Sequence, residues 1–396
     1  MRTRRGFLLF SVLRLAAGCS QGPAERADTD ASSSETTDGV ETSASENTAE
    51  TTLAETETGV PAEPVNLDID AYPFDTLSEY NFFQGHLGDL MPNTGVVGYT
   101  VAAPLWADAA EKGRFFVIPE GTAIAFTTQD AWEFPTGSVF IKNFYFDQDR
   151  GNAEDLRVVE TRLLVLEADD QWQGYVYLWN GEQTEAERTK GGADVYIDFV
   201  DEAGAPHSQL YLVPDQNVCE TCHRHEDRKV LLGPTTLQMN TAWPIGGDEE
   251  VNQIDWLFDN GFFRGDVPAS ADLPALANPA SNAPIDARAR AYLHGNCAHC
   301  HRPGGLAGIT GLRLSIWVDN PGEYGVCNRS GGAGSGADGS HHIIWPGHPE
   351  KSVLPIRMAS DDPELKMPEQ PNLLPDAFGV GLIEQWITEL DGAPCE

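Results

Sequence analysis

Two Cys-x-x-Cys-His runs, Cys219-Glu220-Thr221-Cys222-His223 and Cys297-Ala298-His299-Cys300-His301, constrain this chain more than any other feature. The spacing sets two thiols one helical turn apart with an imidazole beside them, as two thioether bonds to haem vinyl groups and one axial nitrogen require. A zinc or dithiol-redox use asks for further Cys or His ligands at suitable spacing, or for a thioredoxin-like strand–helix context, and the flanking sequence offers neither. The expectation is two covalent haem c groups, held through Cys219, Cys222, Cys297 and Cys300, with His223 and His301 on the iron.

Seven cysteines are present, so three are left over. Arg2, Arg4 and Arg5 precede a short apolar run over 7–15 and then Ala16-Ala17-Gly18-Cys19, the layout of an export signal too short to span a bilayer. Small residues before a Cys resemble a bacterial lipoprotein box, so Cys19 is the expected acylated residue at the end of a signal over 1–19. Arg4-Arg5 also fits a twin-arginine signal, but c-type cytochromes are exported unfolded, and the plain export reading is preferred. Cys327 and Cys395 remain, either as a disulfide in an oxidising compartment or as two free thiols.

Residues 20–66 are rich in Ser, Thr, Ala, Glu and Asp with almost no large apolar residue, a composition expected to form a disordered acidic tether. Over 67–215, β-branched and aromatic runs at 114–118, 139–146, 156–166, 174–179, 195–200 and 209–213 alternate with turn signals. They predict an antiparallel, sandwich- or barrel-like β domain whose aromatics, Trp132, Tyr145, Trp172, Tyr175 and Trp179, are core residues.

The first motif follows these strands with no readable helix before it. In the same segment, 216–266, apolar spacing over 249–263 predicts one helix, to pack on a haem edge or to cap the β domain. Residues 267–284 read as a linker. Over 285–396 the pattern predicts a mostly α-helical, class I-like cytochrome c domain. Its entering helix spans 286–295 with Asp286 as N-cap, and its closing helix spans 376–390 with Leu382, Ile383, Trp386, Ile387 and Leu390 on one face.

The expected sixth ligand of the second haem is Met367, because Pro368 fixes the loop just before the last helix. Met358 is the alternative, with His341, His342 and His348 behind both. For the first haem Met239 is reachable by a short loop, while His86, Met91 and His207 would come from the β domain, and an open sixth position also fits. His225 is too close to His223 to cross the ring, and His294 and His299 read as surface or propionate-contacting residues.

Several stretches carry a resemblance: Tyr72-Pro73-Phe74, Thr161-Arg162-Leu163-Leu164, Trp179-Asn180-Gly181-Glu182-Gln183-Thr184-Glu185-Ala186, both haem motifs and Pro346-Gly347-His348-Pro349-Glu350-Lys351-Ser352. From about Tyr72 to the end the chain resembles a family of uncharacterised bacterial dihaem c-type cytochromes, many with lipoprotein signals. The C-terminal third is similar to class I cytochrome c modules with Arg-Met and Met-Pro elements, here Arg357-Met358 and Met367-Pro368. The resemblance implies haem, export and redox function, and no substrate.

With 61 acidic against 25 basic residues and a net charge of -36, nucleic acid is excluded as a partner, since phosphate binding needs a basic face. A basic redox protein fits better. The leading expectation is an exported electron-transfer protein, periplasmic or tethered to the outer membrane by lipid. The alternatives are a dihaem peroxidase or oxidase with an open first haem, and a ligand-binding β domain carrying a redox tail.

Overall fold

The computed structural model describes residues 63–396 apart from 130, 151–155, 202, 227, 246–248, 331–341, 370–371, 393–394 and 396. Cys19, the export signal, most of the tether and His341 lie outside the described residues.

Long strands with apolar side chains at successive positions need cover on both faces, and the central sheet receives it. Its strands are β1 (Val97–Gly98), β2 (Glu111–Val117), β4 (Val139–Asp147), β5 (Leu156–Leu166), β6 (Trp172–Trp179) and β7 (Ala186–Thr189), in the order β1-β2-β4-β5-β6-β7. All neighbours are antiparallel. β3 (Ile124–Ala125) lies outside this sheet and pairs with Phe263–Arg264. β8 (Ala193–Val200) and β9 (Pro206–Val213) form a separate hairpin.

Because side chains alternate faces along a strand, Ile141, Leu163, Tyr177 and Phe115 share one side with Leu77, Tyr80 and Phe82 of the preceding segment. The opposite side is covered in two patches. Phe116, Phe140, Leu166 and Trp172 meet Ile124, Trp132, Ile254 and Leu257 at one end, and Phe144, Phe146, Val159 and Val176 meet Ile197, Tyr211 and Val213 of the β8–β9 hairpin at the other. Each such large side chain, fully buried, contributes about 1.5–3 kcal/mol. The β region predicted from the sequence is therefore present.

The helices are short. α1 (Val218–His223) covers the first motif, followed by α2 (Thr236–Met239) and α3 (Gln253–Asp259). The helix predicted over 249–263 shrinks to α3, because Val251 and Phe263 belong to two-residue strands on either side of it. It caps the sheet core through Ile254 and Leu257, both 0% exposed. The stretch 267–284 is packed against the rest: Leu273 and Leu276 are buried, and Asn240 donates to the carbonyls of Ser270 and Leu273.

The expectation of a mostly α-helical unit over 285–396 is not met. Among the described residues of this span there are three α-helices, α4 (Ile285–Asn296), α5 (Val353–Met358) and α6 (Ala377–Glu389), with turns and short 3-10 turns between them. Frequent Gly, Pro and Asn between Arg302 and Pro349 account for this, since they favour turns and interrupt helices. Asp286 does not cap α4; it lies in the first turn and accepts the indole N–H of Trp386 at 2.9 Å. α4 and α6 cross where a β-carbon on Gly379 would collide with the ring of Tyr292. Cys327 and Cys395 are joined as a disulfide.

From residue 60 onward the chain forms one compact unit. The segment before β2 reaches α4: Asn296 accepts the Trp106 N–H at 2.7 Å and donates to the Pro104 carbonyl at 3.2 Å. Among the described residues no helix is long and apolar enough to cross a membrane.

Candidate functional site

α4 runs directly into the second motif. Its last turn continues through the Cys297 N–H to Leu293 and the His301 N–H to Cys297, both at 2.9 Å, so Cys297, Cys300 and His301 emerge from one turn of chain. All three line a cavity of about 890 Å3. Its far wall comes from α5 and the loop before α6, which bring Met358 and Met367 to the same space.

That loop is built around a buried ammonium group. Lys366, 9% exposed, donates to the carbonyls of Pro368, Glu369 and Asn372 at 3.3, 2.7 and 2.5 Å. The loop is tied to α5 by the Met367 N–H to the Arg357 carbonyl at 2.9 Å and by Arg357 Nε to the Leu365 carbonyl at 2.6 Å. Met358 is buried in the cluster with Leu293, Leu354 and Ile383, whereas Met367 is half-buried at the cavity wall.

Burial pushes the His301 imidazole down to about 4, with His299, Arg357 and Arg313 adding to the effect, so the ring is neutral near pH 7. Its Nδ1 is buried with no hydrogen-bond partner among the described residues.

The first motif is prepared differently. Asp215 accepts the N–H groups of Asn217 at 2.7 Å and Val218 at 3.2 Å, which starts α1. His223 Nδ1 lies 3.0 Å from the Val230 carbonyl, so Nδ1 carries the proton and Nε2 keeps its lone pair. An outer hydrogen bond of this kind fixes the orientation and tautomer of a ligating imidazole. Burial is the main cause that lowers His223 to about 4. No sequence signal marks Val230 as the partner, because it depends on the fold of the short β-turn after α1.

The two motifs touch. Thr221 and Cys222 of the first line the cavity of the second, and the Cys300 thiol lies 3.9 Å from the Thr221 carbonyl. The neighbouring Cys300 thiol draws the Cys222 thiol below its ordinary range, and His299 adds to that effect. The loops behind the motifs are joined by the Glu226 N–H to the Gly304 carbonyl at 3.1 Å and by His225 Nε2 to the Pro303 carbonyl at 3.0 Å. Cys219 turns the other way and packs on the sheet, where a β-carbon on Gly174 would stand 3.2 Å from its sulfur.

Other candidates are elsewhere. Met239, 0% exposed, is in the core cluster with Trp132 and Ile254. His86 and His207 pair with Asp89 and Asp201 at the surface, and Met91 is 43% exposed. His348 pairs with Glu350 at 3.2 Å. His342 is buried against the Trp345 ring and does not line the cavity. His299 lines the cavity, and His294 Nδ1 accepts the Ile316 N–H at 3.2 Å.

Among the described residues no group of three or more His, Cys, Asp or Glu side chains is placed to hold a metal ion. No protein-family model matches the chain, and no curated protein or solved structure does either.

Proposed function

We propose that the protein is an exported dihaem c-type cytochrome that passes single electrons between a redox donor and an acceptor. The observation that carries this reading is the 890 Å3 cavity in which Cys297, Cys300 and His301 face Met358 and Met367, with Cys222 of the first motif in its wall. Its volume lies in the range of cofactor pockets, and its donor set of two thiols, a neutral imidazole and thioethers suits haem c. Bound there, haem would supply one-electron iron chemistry.

The chain's own residues do the rest. Cys297 and Cys300 anchor the group, His301 provides the nitrogen ligand, and Met367 provides sulfur from a loop clamped by Lys366. Met367 is favoured over Met358 because Met358 is packed into the apolar core. Cys219, Cys222 and His223 hold a second group, with His223 already oriented by Val230. Thr221 and Cys222 of the first motif stand beside Cys300 of the second, so groups held at the two motifs would be neighbours and would supply one-electron chemistry at adjoining sites. Acylation at Cys19 would tether the protein to a membrane, and its acidic surface would attract a basic redox partner.

An enzyme with an open position at the first haem is the second reading, favoured by Met239, Met91, His86 and His207 being engaged or exposed elsewhere. A potentiometric titration followed by absorption and EPR tests both readings. Electron transfer predicts a low-spin second haem with a sulfur-to-iron band that Met367→Ala removes, and no peroxide turnover at either haem. Carbon monoxide binding with peroxide turnover would support the enzyme, and a colourless protein would refute both.

A further inference from the structure

Three neighbouring strands set a cation at one level of the sheet. Arg114 on β2 stands opposite Lys142 on β4, which stands opposite Arg162 on β5. Lys112, two residues before Arg114, is on the same face. The row fills the gap between the two apolar patches on that face, with Phe116 and Phe140 on one side and Phe144 and Phe146 on the other. All four cations are half-buried, packed within the fold with part of their surface open.

Of the acids nearby, Glu111 at the start of β2 is exposed and outside ion-pair distance of Lys112 and Arg114, and the others are engaged elsewhere. Glu160, 0% exposed, pairs with Arg162 at 2.6 Å and accepts the Tyr211 hydroxyl at 2.6 Å. Asp108 accepts the Leu373 and Leu374 N–H groups, and Asp376 accepts the Tyr292 hydroxyl. Among the described residues no carboxylate lies within ion-pair distance of Lys112, Arg114 or Lys142. Like charges directly opposite on adjacent strands repel, and a buried cation without an anion is costly. In a chain of 61 acidic residues, a row left this positive asks for a negative ligand.

The row looks toward α1. Arg162 stands opposite Val176, two residues from Gly174, on which the Cys219 sulfur rests. Lys142 is close enough to His223 for its charge to act on the ring.

We propose that Arg114, Lys142 and Arg162, flanked by Lys112, bind a pair of carboxylates or an equivalent dianion in the space between the sheet and α1. Two sources share this chemistry: the propionates of a haem held at Cys219 and Cys222, or a free dicarboxylate. The first source rests on the haem reading of that motif, and the second does not.

The test compares the exported wild-type protein with Lys142→Met and Lys142→Arg, in sodium chloride and in sodium succinate of equal ionic strength. If propionates fill the site, Lys142→Met keeps the attached mass but lowers both Tm and the midpoint potential of the first haem, since a lost cation favours the ferric state. Lys142→Arg then behaves as wild type, and succinate changes nothing. If a free dianion fills it, succinate raises the wild-type Tm saturably, and Lys142→Met weakens that binding about tenfold or more. A wild type carrying no haem on Cys219 and Cys222 removes the propionate source and leaves the succinate result to decide. The proposal is overturned if Lys142→Met is more stable than wild type in both salts with an unmoved potential, the outcome of deleting an uncompensated charge.

Discussion

The carboxylate of Asp108, 2% exposed, accepts the Leu373 N–H at 2.8 Å to one oxygen and 3.0 Å to the other. It also accepts the Leu374 N–H at 2.9 Å, while the Trp106 indole donates to the Leu374 carbonyl at 2.9 Å. The segment entering the sheet therefore latches the loop that carries Met367. Asp108→Ala removes the acceptor of the Leu373 and Leu374 N–H groups and should cost about 2–4 kcal/mol, since bonds to a charged group contribute about 1.5–3 kcal/mol each. Urea unfolding checks the cost, and hydrogen exchange should show faster exchange at Leu373 and Leu374. Unchanged protection there would sink the latch.

Gly379 permits the crossing of α4 and α6 at Tyr292. Gly379→Ala should destabilise the protein by about 1–3 kcal/mol, the usual penalty for overpacking. Combining it with Tyr292→Phe should recover little, because the ring itself obstructs the new carbon along with the hydroxyl. Thermal unfolding of the two variants measures both effects.

Glu160 is the one acid paired with the cationic row, through two hydrogen bonds to Arg162 at 2.9 and 2.6 Å. Glu160→Ala adds another uncompensated cation and should cost about 3–5 kcal/mol, as breaking one side of a buried pair does. A measured loss under 1 kcal/mol would show that solvent screens the row.

His294 is lowered to about 4, mainly by burial, with His299 and Arg302 contributing. Its unfolded value is about 6.5, so between those values the unfolded chain binds more protons and stability rises with pH. The contribution is fully present above about pH 6.5 and is lost as pH falls toward 4. His294→Gln keeps an acceptor for the Ile316 N–H and should flatten the fall in urea midpoint between pH 7 and pH 5. An equally steep fall in the variant would remove His294 as a cause.

The long strands were legible because β-branched and aromatic enrichment between turn residues is a local signal: the runs at 139–146 and 174–179 fall within β4 and β6, and the run at 156–166 coincides with β5. The two-residue strands β1 and β3 were not, having too few residues to show a period. α1 is the helical turn of the motif itself, and the sequence before it, after β9, holds no helix, as its lack of apolar spacing implies. The two helices flanking the second motif's unit were legible from local apolar spacing, 286–295 within α4 and 376–390 over α6, whereas a mostly α-helical unit does not follow from two helices around a long loop. Lys142 and Arg162 each interrupt an apolar strand in the sequence, but that they stand side by side is a matter of register, which depends on pairing between strands. The same holds for Cys222 beside Cys300, 78 residues apart in the chain.

The most direct test of the central claim is the mass of the peptides containing 219–223 and 297–301 from the full chain, produced in cells that attach haem c. The account predicts one haem on each, linked through both cysteines. Free thiols on both peptides, or a single Cys222–Cys300 disulfide joining them, would contradict it.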